Sequence, residues 1–190
     1  MARIPLVSLD TMNPDQRKAH DEILARNHRI GRLPGPYWML LHSPELADNC
    51  SQVGELLRYR TELEPRLSEL AILVTARVCD SQYEWYAHAP TAQKAGLADD
   101  VIEAIRHGRR PAFAKADEQA LYDYVSELHR DHQVSDATYD SALGQFGAKG
   151  LVELTMLTGY YVMVAFTLAA HQYEKHGIPP GTPHPLPKLR

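Results

Sequence analysis

An almost wholly apolar stretch at residues 67–79 predicts a buried helix around which the rest of the chain packs. Pro65 suits the first turn of this helix, where a backbone N–H would have no helical partner. The apolar positions cover more than one helical face, so the helix should be central. They are Leu67, Leu70, Ala71, Ile72, Leu73, Val74, Ala76, Val78 and Cys79. Glu69 stands out, because a carboxylate in such surroundings needs a partner. Alternatively, Glu69 lies on a single polar stripe above Asp80.

A second helix is predicted to follow the break at the end of this run. Ser81 and Glu84 have the spacing of a capping box, in which each side chain accepts a hydrogen bond from the other residue's backbone N–H. The helical period then places four residues on one face: Ser81, Glu84, Trp85 and His88. Pro90 lies too deep for a first-turn proline and should bend the helix.

Helical patterns account for most of the remaining chain, and no strand-period alternation of useful length occurs. Further helices are predicted at residues 14–27, 44–60, 99–107, 116–132, 135–146 and from 149 or 150 to 176–177, with a short helical turn at 37–41. Asn13 and Ser43 are the predicted caps of the first two. The sequence therefore predicts an all-α fold, and we expect a single domain over residues 1–190.

The two ends of the chain differ from this helical body. Residues 1–12 are predicted to form an extended arm. Residues 178–190 hold five prolines, which exclude a helix, so this tail should wrap a neighbour or remain loose. A length of 190 residues would also suit a tightly joined pair of helical halves.

Composition and charge restrict the class of partner. A net charge of −4 provides no basic face for nucleic acid. Cys50 and Cys79 lie in different predicted helices, which argues against a disulfide framework and fits a reducing compartment. The start of the chain has no apolar segment of signal-peptide length. Residues 154–170 are uncharged but shorter than the roughly 20 residues of a membrane helix. We therefore expect a cytoplasmic protein without a membrane partner, in which this helix is buried or faces another subunit.

The spacing of the residues around the break resembles the signature of the alkyl hydroperoxidase D and carboxymuconolactone decarboxylase superfamily. In that signature, eleven residues separate a glutamate from a first functional position. Two residues separate this position from a second one, and three residues separate the second position from a histidine. Glu69, Ser81, Glu84 and His88 stand at these places. The surrounding YEWYAHAPTAQKAGL and the earlier PYWMLLHSPEL are similar to the carboxymuconolactone decarboxylase-like branch. The resemblance implies an alkyl hydroperoxidase D-like helical bundle with duplicated hairpins, assembled as a dimer, trimer or hexamer.

The chain departs from the peroxidase branch, which carries cysteines where Ser81 and Glu84 stand here. Dithiol peroxide reduction needs an attacking and a resolving thiol, so these two residues cannot perform it. Cys79 lies two residues before the first of the two positions, and its apolar context is typical of a small buried hydrophobe. A peroxide-reducing enzyme would have to depend on Cys79 alone.

The resemblance instead implies a cofactor-free lyase or decarboxylase acting on a small aromatic-derived acid or lactone. His88 would move a proton, because imidazole titrates near neutral pH, and Glu69 would orient and stabilise that imidazole. Glu84 would be a second acid or only the capping partner. The predicted substrate-binding residues are Tyr37, Tyr83, Trp85 and Ser81. Ordinary core packing explains Tyr37 and the neighbouring Trp38 equally well.

Two further interpretations stay open: a peroxide-reducing enzyme that uses Cys79, and a non-catalytic oligomeric binding protein. We expect no cofactor and no metal. His129 and His132 lie near a predicted helix C-terminus, where an imidazolium interacts favourably with the helix dipole. A third ligand is not evident, and no HEXXH motif occurs.

An internal similarity relates the central region to the last helix. Both carry Leu-x-Glu-Leu, an apolar run, a histidine, and then Gly-Leu or Gly-Ile. Glu153 and His171 thereby correspond to Glu69 and His88. The second copy lacks the helix break, so it is predicted to be scaffold. Three of its residues remain weaker candidates for a pocket: Tyr160, Tyr161 and His171.

Overall fold

The computed structural model of the chain describes residues 2–27, 31–173, 177–182 and 184–189, and these ranges contain helices but no strand. The helices are α1 (Pro14–Arg26), α2 (Tyr37–Leu40), α3 (Pro44–Tyr59), α4 (Pro65–Val78), α5 (Gln82–Lys94), α6 (Asp99–Arg106), α7 (Ala116–Asp131) and α8 (Asp136–His171). The predicted all-α fold is confirmed.

Helix α4 forms the centre of the bundle, as its apolar pattern predicted. Helices α5, α7 and α8 pack against it, and both Leu70 and Leu73 are completely buried. Removal of this apolar surface from water is the main stabilising term of the fold. At its first turn, Arg66 joins α4 to α7 by donating to Glu118 at 2.5 Å and to Asp117 at 2.6 Å.

Two of the predicted helix boundaries are formed by local chemistry. The Asn13 side chain accepts from the Gln16 N–H at 2.9 Å, and the Gln16 side chain accepts from the Asn13 N–H at 3.0 Å, which completes a capping box at α1. Gly147 has φ 64° and ψ 175° and interrupts α8 where a break between two helices was predicted. The last helix ends at His171, earlier than the predicted end at residues 176–177, and residue 176 lies outside the described residues.

The predicted capping box at the start of α5 is wrong. The Ser81 side chain makes no capping hydrogen bond, and its backbone N–H donates to the Ala76 carbonyl at 2.8 Å. Asp80 adopts a left-handed φ of 51°, so the chain closes the end of α4 in the manner of a Schellman turn. The N–H that Glu84 was predicted to bind is therefore already used. Ser43, the other predicted cap, makes no side-chain capping bond either.

The proline-rich tail packs on its own chain in its described part, contrary to the prediction that it wraps a neighbour or remains loose. Gln82 donates to the Leu186 carbonyl at 2.8 Å and accepts from the Leu186 N–H at 3.0 Å. Arg77 donates to the Pro187 carbonyl at 2.9 Å, and Arg106 to the Pro185 carbonyl at 3.1 Å. Leu186 is buried in the main core. Since proline supplies no N–H, the side chains of α4, α5 and α6 bind the tail mainly through its carbonyls.

The apolar spacing of α3 predicts that Leu46, Cys50, Val53 and Leu57 face the core. Cys50 and Leu57 are buried, but Leu46 and Val53 are exposed. The rest of the buried stripe is formed by the small residues Ala47, Ser51 and Gly54. The smaller residues face inward because α3 approaches other side chains closely. A Cβ at Gly54 would touch the Tyr160 ring, for example.

An exposed apolar strip also follows the outer face of α8. We call it the α8 seam; it consists of Val152, Met156, Gly159, Met163 and Phe166, spaced alternately by four and three residues. Met156 is 55% exposed and Phe166 is 65% exposed. By length and composition alone α8 could cross a membrane, but its other face packs against α4 and α7. The spacing is that of a helix-pairing seam.

We predict that the chain forms a homo-oligomer through this seam. Changing Met156→Glu together with Phe166→Glu places two charges on it and should yield monomers of 21.4 kDa in light scattering. Val78→Glu is the control, because Val78 is equally exposed but isolated at the end of α4. A wild-type protein that is monomeric at micromolar concentration would refute the prediction.

Candidate active site

A cavity of about 600 Å³ lies between α2, α3, α5 and α8. Six tyrosines contribute to its wall: Tyr37, Tyr59, Tyr83, Tyr86, Tyr160 and Tyr161. We call it the tyrosine cavity. Its volume suits a small molecule, since such sites occupy about 300–1,000 Å³. The charged or titratable side chains on its wall also include Arg32, Glu55, Arg58, Glu84 and His88.

His88 reaches the cavity wall from α5, and its Nδ1 lies 2.7 Å from Glu69 Oε2 on α4. Both side chains are more than nine-tenths buried. Glu69 is not part of the wall, so its carboxylate supports the imidazole from behind. Because Nδ1 is committed to this carboxylate, Nε2 is the nitrogen left to meet a ligand.

The carboxyl group of Glu69 is held in its ionised form. Burial by itself raises its pKa, but His88 and Arg58 outweigh burial and hold the pKa below the ordinary value of 4.5. The Arg58 Nη2 atom lies 3.6 Å from Glu69 Oε1, on the side away from His88. An ionised carboxylate accepts the Nδ1–H, and this bond fixes the tautomer and the orientation of the imidazole ring.

Three tyrosines surround the imidazole and the inner end of the cavity. The Tyr161 ring stands edge-on to His88, with centroids 5.1 Å apart and planes at 89°. The Tyr160 hydroxyl donates to the Cys50 carbonyl at 3.1 Å, and the Tyr37 hydroxyl lies 3.4 Å from the Tyr160 hydroxyl. Burial raises the pKa of all three phenols, so they are neutral at physiological pH and act as shape and hydrogen-bonding groups.

Tyr83 and Glu84, both predicted site residues, line the tyrosine cavity from the first turn of α5. Glu84 is buried. Tyr83 packs edge-on against Tyr173, with centroids 5.2 Å apart. A Cβ at Gly177 would lie 2.7 Å from the Tyr83 ring, and one at Gly35 would touch its hydroxyl. The absence of side chains at these two glycines is what lets Tyr83 occupy this position.

Trp85 and Ser81 do not line the tyrosine cavity, although they share a predicted helical face with His88 and the resemblance implied that they bind substrate. The Trp85 indole N–H donates to the His184 carbonyl of the tail at 3.1 Å, and its ring borders a separate hollow of about 440 Å³ between α5, α6 and the tail. Ser81 is buried in the α4–α5 turn. One face of α5 is wide enough to be shared between two neighbours, so residues three or four apart can lie in different pockets.

The two thiols occupy different environments. Cys50 lines the tyrosine cavity, and burial raises its pKa. Cys79 is the C-cap of α4 and lines neither the cavity nor the hollow beside Trp85. Burial, together with the nearby Glu84, raises the pKa of Cys79 to about 11. A thiol with this pKa supplies very little thiolate at neutral pH, and the thiolate is the nucleophile.

Within the described residues, no group of three metal-ligating side chains occurs. His129, considered as a metal ligand from sequence, bonds to the Thr75 hydroxyl at 3.0 Å. Burial and the neighbouring His132 lower the pKa of His129. The imidazolium expected at this helix end is therefore disfavoured at His129, chiefly by burial.

The second copy of the internal similarity supplies residues to the cavity wall but does not form a second Glu–His pair. Glu153 accepts from the Glu62 N–H at 2.8 Å and so closes the loop before α4. His171 accepts a hydrogen bond from the Arg3 N–H at its carbonyl, 3.0 Å away, and is not on the cavity wall. Tyr160 and Tyr161 are on that wall.

Sequence reasoning missed Arg58, Tyr59 and Tyr86, all of which line the tyrosine cavity. Helical spacing could have indicated Arg58, since it follows Cys50 by eight residues and Gly54 by four on the buried stripe of α3. An arginine near the end of a helix is typical of a solvated position, and for that reason it gave no signal.

The sequence profile of the Carboxymuconolactone decarboxylase family matches residues 44–127, which include Glu69 and His88. No curated protein matches the chain. An uncharacterized peroxidase-related protein from Silicibacter sp. TM1040 has a similar structure, with a TM-score of 0.73, 13% identity and 90% of each chain covered.

A variant of the debrominase Bmp8 in complex with 2,3,4-tribromopyrrole is also similar, with a TM-score of 0.70, 12% identity and 90% of each chain covered. The apo form of Bmp8 has a TM-score of 0.66 at 12% identity, with 88% of each chain covered. At these identities the likeness shows the fold. The resemblance noted in the sequence is confirmed: the model of the Carboxymuconolactone decarboxylase family matches residues 44–127, and the chain has a helical fold of the alkyl hydroperoxidase D type.

Proposed function

We propose that the protein is a cofactor-free acid–base enzyme of the lyase or decarboxylase type, acting on a small ring-containing acid or lactone. The observation that carries the proposal is the 2.7 Å bond between His88 Nδ1 and Glu69 Oε2 behind the wall of the tyrosine cavity. An imidazole that an ionised carboxylate holds in one orientation, next to a space of ligand size, is an arrangement suited to proton transfer.

The proposed chemistry uses His88 Nε2 as the atom that gives or takes the proton. In a decarboxylation, the bond to the departing carboxyl carbon breaks, and its electron pair passes into the conjugated ring of the substrate. The carbon left behind then takes a proton from Nε2–H of the imidazolium. Ionised Glu69 accepts the Nδ1–H bond and keeps the ring oriented during this transfer, as the third group of a catalytic triad does.

The shape of the tyrosine cavity supports a flat, largely apolar substrate. Aromatic rings form much of its wall, and such rings stack favourably against a planar ligand. The structurally similar debrominase holds a small halogenated pyrrole. That ligand has about the size and flatness that we propose for the substrate here.

The geometry gives no support to a peroxidase that uses Cys79, because this thiol lies outside the tyrosine cavity and its pKa is raised to about 11. We predict that a Cys50→Ser, Cys79→Ser double variant keeps the natural activity within about twofold, since neither thiol is needed for proton transfer. The measurement is steady-state turnover of both proteins. Inactivation by iodoacetamide that substrate prevents, together with loss of activity in the double variant, would refute it.

The test of the proposal is an ultraviolet assay over a panel of ring-containing acids and lactones, beside an assay with peroxide and a thiol reductant. We expect turnover in the first assay, and its loss in His88→Asn. Turnover only with peroxide would refute the lyase proposal. Saturable binding of the acids without any turnover would instead favour a non-catalytic binding protein.

A further inference from the structure

Arg58 is the cation closest to the proposed chemistry. It lines the tyrosine cavity from the last turn of α3, and its guanidinium reaches the same carboxylate that holds His88. We propose that Arg58 is the specificity-determining residue of this cavity and binds the carboxylate of a small monoanionic ring compound beside His88. This inference rests on the proposed function for the role of His88, but the binding itself does not depend on turnover.

The hydrogen-bond donors of Arg58 are only partly used by the protein. A guanidinium carries five N–H donors. Nη2 lies 3.6 Å from Glu69 Oε1, which is an ion pair rather than a hydrogen bond. Nε is buried and finds no acceptor among the described residues. The Arg58 side chain is 21% exposed, so the part of it that lines the cavity can meet an acceptor on a ligand.

The guanidinium is also held in a fixed plane. Its central carbon stands 4.9 Å from the centroid of the Tyr59 ring, in cation–π geometry. Burial lowers the pKa of Arg58, but the neighbouring Tyr161, Tyr59 and Glu69 outweigh burial and raise it, so the group stays charged. A planar cation with a fixed orientation matches the two oxygens of a carboxylate, which it can bind bidentately.

The other charges on the cavity wall point to Arg58 rather than to another residue. Glu55 is paired with Arg60 at 3.0 Å, so this carboxylate does not neutralise the charge of Arg58. Arg32 also lines the cavity but is exposed, and exposed charges are screened by solvent and salt. Glu84 on α5 opposes any anion. A ligand with a single carboxylate directed at Arg58 and an uncharged ring toward α5 satisfies both.

The ligand class follows from these contacts. The carboxylate would meet Arg58, and the ring would occupy the space between the tyrosines. A dianion would bring its second charge toward Glu84, which like-charge repulsion disfavours. A neutral amide of the same shape would offer Arg58 one uncharged acceptor oxygen, instead of the two charged oxygens of a carboxylate.

The experiment compares benzoate with benzamide, which have nearly the same shape but differ in charge. Affinities are measured by isothermal titration calorimetry on the full chain carrying His88→Asn, so that no turnover interferes. We expect benzoate to bind about tenfold or more tightly than benzamide, the usual scale of a charge-assisted hydrogen bond. Adding Arg58→Met should abolish this preference, and Arg58→Lys, which keeps the charge but loses the fork, should retain part of it.

Two matched controls complete the design. Arg110→Met makes the same change in net charge at a surface residue paired with Asp123, and it should leave the preference unchanged. Arg32→Met tests the other cationic group of the cavity and should change the preference by about twofold at most. Circular dichroism and melting curves verify that each variant is folded.

The proposal is overturned if benzoate and benzamide bind equally, if neither binds saturably, or if Arg32→Met rather than Arg58→Met abolishes the preference. Failure of the proposed function gives a different result. In that case the preference for benzoate persists and still depends on Arg58, whereas natural activity, once found, does not require His88.

Discussion

Replacing His88 by asparagine is expected to lower kcat by about two to four orders of magnitude, the usual scale for the loss of a general acid–base. Asparagine keeps a similar size and one hydrogen-bond donor that can still reach Glu69. The oligomer and the melting temperature should therefore change little. The measurement is kcat and KM on the substrate identified by the panel assay, with the folded fraction determined in parallel.

The matched control is His129→Asn, which removes another largely buried histidine, bonded to Thr75 at 3.0 Å and remote from the cavity wall. This variant should keep its turnover per folded molecule. The interpretation fails if His88→Asn unfolds the protein while its refolded fraction keeps full specific activity. His88 would then be a structural residue, and the chemistry would have to be sought elsewhere.

Replacing Glu69 by glutamine is expected to impair both turnover and stability. The amide cannot stabilise an imidazolium as a carboxylate does, so kcat should fall by about tenfold or more. Stability should fall by about 1–3 kcal/mol, because the change leaves Arg58 without its ion pair and removes a charged acceptor from His88. Kinetics and urea unfolding measure the two effects.

The loss of stability in Glu69→Gln should depend on pH in one direction. The folded pKa of Glu69 lies below its ordinary value of 4.5, so the ionised carboxylate contributes stability above that pH. This contribution disappears as the pH falls through the lower, folded pKa. The difference in unfolding free energy between wild type and variant should therefore be largest above about pH 4.5 and should shrink in more acidic solution.

The control for this prediction is Glu118→Gln, which removes a buried carboxylate that pairs with Arg66 at 2.5 Å, at the first turn of α4. It should destabilise the fold to a similar degree but leave turnover per folded molecule unchanged. A Glu69→Gln protein with normal kcat would show that Glu69 is needed only for folding.

The parts of this structure that sequence predicted best are those controlled by neighbouring residues. The apolar run of α4, the Asn13 cap and the break at Gly147 each depend on a few consecutive side chains or on one backbone conformation. The same holds for the meeting of Glu69 and His88. A buried carboxylate needs a partner, and the histidine that follows the turn between two packed helices is within its reach.

The parts that sequence could not predict depend on contacts between distant segments. Trp85 shares a helical face with His88, and the resemblance implied that it binds substrate, but its indole N–H donates to the His184 carbonyl of the tail. Ser81 has the spacing of a cap. Because Asp80 adopts a left-handed conformation, however, the Ser81 N–H donates to the Ala76 carbonyl. Periodicity states which face a residue lies on, but not which neighbour covers that face.

Arg58 illustrates the same limit from the other side. Its position on the buried stripe of α3 was available from spacing alone, but its role depends on Glu69, ten residues beyond the end of α3 and on another helix. Because α3 and α4 meet here, Arg58 lies 3.6 Å from Glu69 and lines the cavity as a largely buried cation.

Long-range ¹H–¹⁵N correlation spectra of protein labelled at the imidazole nitrogens test the central claim most directly, because they report the tautomer of each of the ten histidines. The His88 signals are identified by their loss in His88→Asn. In neutral His88 we predict that the proton is on Nδ1 and Nε2 carries the free electron pair, and that Glu69→Gln disturbs this arrangement. A proton on Nε2, or His88 signals that do not respond to Glu69→Gln, would contradict the role assigned to the pair.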